Sequence, residues 1–142
     1  MAIGTVKTPW HLWVVGVLSL LWNGFGAIDL TMTLAAREVW FKAMGMTSAQ
    51  VAMFDALPGW MWVAWAFGVY GAIAGSILLL LRRKWAVQAF GLSILGALAS
   101  LAYHSFLAGP GGPGPIFPAI IVVIAALLLW YAWAMGKRGV LR

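Results

Sequence analysis

Three side chains stand out as able to do chemistry: Asp29, His104 and Asn23. Charged residues make up only 8% of the 142 residues, so each polar group in an apolar run is conspicuous. Asp29 is the only formal charge between positions 8 and 36, and a carboxylate inside a membrane span is a functional candidate by default. An imidazole beside such an acid would favour its charged form and make a proton-binding or polar-solute site. Asn23 would serve either as a third polar group or as an amide joining helices. Ser100 or Ser105 with His104 and Asp29 contains the residue types of a hydrolytic triad, but the spacing of such common residues does not specify one, and no enzyme is expected. His11 and His104 are the only histidines and cysteine is absent, which excludes thiolate sites; His104 with Asp29 makes at most two ligands for a metal, short of three or four. A haem held between those two histidines would need them at one depth, whereas the layout below puts them at opposite faces. No cofactor and no metal are expected.

The elements that must position these groups are long apolar helices. Residues 56–81 and 85–136 contain no Lys, Arg, Asp or Glu, and the second stretch is broken only by a glycine–proline run at 109–115. About 20 apolar residues cross a ~30 Å hydrocarbon core as a helix, so the chain reads as four spans, near 10–35, 60–81, 85–107 and 116–135. The expected fold is all-α, a polytopic membrane four-helix bundle in a single domain, with an outer loop at 37–59. The first apolar run is too long for a signal peptide and reads as an uncleaved span.

Charge sets the orientation. Lys7, Arg82, Arg83, Lys84, Lys137, Arg138 and Arg142 share one side, and Arg37 and Lys42 the other. The positive-inside bias places both chain ends in the cytoplasm. This distribution also accounts for the +6 net charge without nucleic acid. Trp10, Trp13, Trp85, Trp130 and Trp133 fall near the basic face, and Trp40, Trp60, Trp62 and Trp65 near the other, as expected for indoles at headgroup level. Trp22 alone falls deep. At ~1.5 Å per residue, Asp29 is about 33 Å from Lys7 and His104 about 30 Å from Lys84, which puts the two at similar heights.

In the outer loop, Thr47-Ser48-Ala49-Gln50 has the form of a capping box, with Val51, Phe54 and Leu57 on one side and Pro58 as the stop. A short helix at the outer interface is predicted. The run from Gly109 to Pro115 predicts a tight turn; without a following Lys and Ser/Thr it is no phosphate loop. In lipid, helices associate through close backbone approach. Ala64, Gly68, Ala72 and Ser76, with Gly71 and Gly75 beside them, form such a seam, facing either another helix of the bundle or a second copy. Ser93, Gly96, Ser100 and His104 make a matching stripe, as do Gly16, Ser19, Asn23 and Ala27. These three faces are expected to meet, and the fourth span to face lipid.

Several segments resemble a known group: Trp10-His11-Leu12-Trp13, Leu21-Trp22-Asn23-Gly24-Phe25-Gly26-Ala27-Ile28-Asp29, Phe54-Asp55-Ala56-Leu57-Pro58-Gly59-Trp60, Ala64-Trp65-Ala66, Gly71, and the run from Gly75 to Ala86. Together they are similar to a family of small bacterial four-span inner-membrane proteins that carries a sugar-transporter label. The resemblance covers most of the first three spans and brings no substrate residues with it. It implies an inner-membrane location and passage of a small solute; the acid within the first span adds the expectation of a parallel homo-oligomer using Asp29 with His104 and Asn23. The few polar groups and the small-residue seam support the alternative, a non-catalytic accessory or assembly subunit of a larger membrane complex. Membrane lipids are partners in both.

Overall fold

The computed structural model describes residues 6–108 and 114–142, so most of the predicted glycine–proline turn, positions 109–113, lies outside the described residues. The described chain is all helical: α1 (Trp10–Ala35), α2 (Arg37–Ala43), α3 (Ser48–Asp55), α4 (Gly59–Leu80), α5 (Trp85–Ala102), which runs on through a π-helical turn at Tyr103–Leu107, and α6 (Ile116–Lys137). Helices α1, α4, α5 with its π turn, and α6 are each long and apolar enough to cross a membrane. Prolines punctuate the chain as their missing N–H requires: Pro9, Pro58 and Pro115 immediately precede α1, α4 and α6, and Pro118 sits in the first turn of α6.

The capping box is formed. Thr47 Oγ1 accepts from the Gln50 N–H at 3.3 Å, and Gln50 Oε1 accepts from the Thr47 N–H at 2.9 Å. Val51 and Phe54 on α3, and Leu57 just beyond its end, are half-buried. Helix α2 was not anticipated. It arises because Ala36 leaves helical geometry, with φ −145° and ψ 50°, and redirects the chain after α1.

Helix α4 is the hub, with α1 and α5 packed along it and α6 packed on α5. All these neighbours run antiparallel, as the short connection from α4 to α5 requires and as the α1 contacts with Leu80, Ile73 and Val69 in reverse order show. The α4–α5 contact is very close. A Cβ at Gly96 would lie 2.4 Å from the Ala64 carbonyl oxygen and 2.6 Å from the Gly68 nitrogen. Gly71 faces the Ala89 carbonyl and the Ser93 backbone, and Gly75 receives the Phe90 ring. The seam of Gly68, Gly71 and Gly75 is thus used inside the molecule, against α5. Ser93 reinforces it by donating to the Gly68 carbonyl at 2.7 Å.

Helix α1 uses a different face of α4. Gly16 lies against Leu80, Gly24 against Ile73 and Gly26 against Val69. At 100° per residue these α4 positions are centred about 145° from the glycine face. The α4 stripe is therefore shared: its Ala64 and Gly68 meet the α5 stripe at Gly96, and its Ala72 and Ser76 meet the α1 stripe at Asn23, while the rest of α1 lies on Val69, Ile73 and Leu80. The outermost helices of this arrangement are α6 and α1, so outward exposure is shared between them, and Trp22 is exposed on α1.

The basic residues other than Arg37 and Lys42 gather at one end, where Leu12, Leu79, Phe90, Leu128 and Met135 belong to a buried apolar cluster. The last residues fold under it. Val140 and Leu141 are buried in that cluster, the Arg142 N–H donates to the Arg82 carbonyl at 2.7 Å, and the Lys84 N–H donates to the Arg142 carbonyl at 2.9 Å. Arg82 takes φ +56°, a left-handed backbone that costs a non-glycine residue about 1–2 kcal/mol. Its guanidinium donates to Thr8 Oγ1 at 2.9 Å, and its carbonyl holds the tail.

Candidate functional site

Asp29 sits two turns before the end of α1 and is half-buried. Its Oδ1 accepts the indole N–H of Trp40 at 2.8 Å, a contact made possible by the break at Ala36 that swings α2 back. Neither neighbouring threonine reaches the carboxylate. Thr33 donates to the Asp29 main-chain carbonyl at 2.7 Å, and the Thr31 hydroxyl bonds the Tyr70 hydroxyl on α4 at 2.7 Å. The nearby cation Arg37 pairs with Asp55 and lies over the Phe41 ring at 5.1 Å. The acid is therefore met by a neutral donor.

His104 lies in the π turn, closed by the Ala108 N–H donating to the Tyr103 carbonyl at 2.9 Å. Its Nδ1 lies 2.8 Å from the Ser100 carbonyl, which can only accept, so Nδ1 carries a proton. Tyr103 packs edge-on against His104 and against Trp60 at the start of α4. Among the described residues no hydrogen bond or ion pair joins Asp29 to His104. The two approach the same end of the molecule on helices held to different faces of α4.

Asn23 belongs to a separate set of contacts. Its Nδ2 donates to Ser76 Oγ at 3.0 Å and reaches the Ala72 carbonyl at 3.4 Å, while Ser76 itself donates to Ala72 O at 2.9 Å. Six residues along the helix from Asp29, or ~9 Å, it pins α1 to α4. The three predicted site residues are thus not assembled into one constellation.

Two features escaped the sequence reading. Phe41, Phe54, Trp62 and Trp65 form one aromatic cluster that ties α2 and α3 to the first turns of α4. At the basic end, His11 Nδ1 and the Tyr131 hydroxyl form a hydrogen bond that joins α1 to α6. Neither has a periodic signature, since each links positions far apart in the chain. No group of three or more His, Asp or Glu residues with metal-binding geometry occurs among the described residues.

The fold and these contacts define an all-helical protein with four helices suited to span a membrane. Comparison of the chain with protein-family models, curated proteins and solved structures finds no match.

Proposed function

We propose that the chain is a non-catalytic accessory or assembly subunit of a membrane complex, with its basic end in the cytoplasm and a bacterial inner membrane as its setting. The observation that carries this reading is where the polar side chains in the body of the spans go. Ser19 donates to Gly16 O, Asn23 to Ser76, Ser76 to Ala72 O and Ser93 to Gly68 O. Each is taken up in holding a helix or a helix pair, the use of polar groups as glue between membrane helices. A permeation path would instead turn such groups toward a shared cavity near mid-membrane. Purification in a gentle detergent, followed by mass spectrometry, tests the reading. It expects a stoichiometric complex with a different membrane protein; a chain that elutes alone or only with itself contradicts it.

Asp29 supports a second reading, solute or proton transport by a parallel homo-oligomer, with which the transporter label of the resembling family agrees. Its carboxylate is half-buried and its one side-chain hydrogen bond among the described residues is to Trp40. In proteoliposomes this reading expects flux from the wild type that Asp29→Asn abolishes. Flux that survives the substitution rejects it.

A further inference from the structure

The contact between α5 and α6 leaves a groove of about 340 Å³, lined by Val87 and Ile94 on α5 and by Ala126, Leu129, Trp130 and Trp133 on α6. Every lining side chain is apolar apart from the indole N–H groups. Beside these lining residues the α5 surface is open. Gly91 falls one turn after Val87 and one turn before Ile94, on the same face, and a Cβ there would meet nothing within 4 Å. Ala126 leaves the facing wall low.

The groove lies toward the basic end. From Val87 to Ile94, and from Ala126 to Trp133, it runs about 10 Å along each helix, which fits within one ~15 Å leaflet of the hydrocarbon core. Its mouth is cationic. Lys137 holds its Nζ 4.4 Å from the centre of the Trp133 ring, and Lys84 is exposed one turn ahead of Val87. The three carboxylates, Asp29, Glu38 and Asp55, all belong to the opposite end, so no carboxylate side chain offsets these cations locally.

An apolar slot one leaflet deep with uncompensated lysines at headgroup height fits one chemical class. We propose that the α5–α6 groove binds an anionic phospholipid of the leaflet at the basic end, with an acyl chain along Gly91 and the phosphate between Lys84 and Lys137. The inference rests on the membrane-spanning reading and is independent of whether the chain is an accessory subunit or a transporter.

The test uses the full chain in detergent, with phosphatidylglycerol and phosphatidylcholine of identical acyl chains as probes, read by native mass spectrometry and thermal melting. The wild type should retain phosphatidylglycerol preferentially and melt higher with it. Lys84→Gln with Lys137→Gln should remove that preference, by about fivefold per lysine. Gly91→Leu should fill the slot and lose the lipid while its lipid-free melting temperature is kept. Equal retention of the two lipids by the wild type overturns the proposal, as does a Gly91→Leu variant that keeps the adduct. A groove occupied by a second copy would show as a dimer abolished by Gly91→Leu and indifferent to phosphatidylglycerol, which also overturns it. A chain that never partitions into detergent refutes the membrane reading itself, whereas one that partitions without lipid preference refutes the site alone.

Discussion

Gly91 and Gly96 lie five residues apart on α5 and have opposite surroundings. Gly96 faces α4, where the Ala64 carbonyl and the Gly68 backbone occupy the space a side chain would need. Gly91 lies on the same side of α5 as Val87 and Ile94, and a Cβ there would meet nothing within 4 Å. The same residue type therefore closes one flank of the helix and opens the other. What decides the matter is the partner: α4 presents Gly68, Gly71 and Gly75 to α5, whereas the α6 groove wall carries large side chains on either side of Ala126. A glycine met by backbone, as at Gly96, or by an inserted ring, as at Gly75, closes the contact; a glycine met by neither, as at Gly91, leaves space.

The contrast predicts a graded set of outcomes for the detergent-solubilised protein. The largest effect belongs to Gly96→Leu, whose Cβ collides with rigid backbone. Its cost should exceed the ~1–3 kcal/mol of ordinary overpacking and leave no monodisperse helical species on size exclusion. Next comes Phe90→Ala, which empties the notch over Gly75 and should lower stability by about 3–5 kcal/mol in a denaturation series. Asn23→Ala removes the amide that ties α1 to α4; the expected loss is about 0.6 kcal/mol and no more than about 2, with oligomeric state unchanged. Gly91→Ala should act in the opposite direction, stabilising by about 0.5–1 kcal/mol through backbone entropy alone. If Gly91→Ala proved as damaging as Gly96→Ala, the two flanks would be alike and the comparison would fail.

Much of the architecture was legible because it rests on local rules. The spans follow from uninterrupted apolar runs, the cap of α3 from Thr47 and Gln50, and the seam from small residues every four positions. The glycine pattern did not reveal which helix would meet it, nor that α1 and α5 would take different faces of α4. The proposed Asp29–His104 unit rested on equal height along two helices, which says nothing about azimuth. Its actual partners come from backbone irregularities without a clear sequence marker: the break at Ala36 delivers Trp40 to Asp29, and the π turn directs His104 to the Ser100 carbonyl. The tuck of Val140 and Leu141 beneath the bundle depends on main-chain bonds to Arg82 and Lys84, for which side-chain identity gives no cue.

Every feature proposed for this protein depends on four crossings with the basic end facing inward. The chain contains no cysteine, so single-cysteine variants at Lys42, Arg83 and Arg142 can be labelled in intact cells with a membrane-impermeant maleimide. Labelling is expected at position 42 without permeabilisation, and at positions 83 and 142 only after it. Finding positions 83 and 142 on opposite sides of the membrane would contradict the four-span layout.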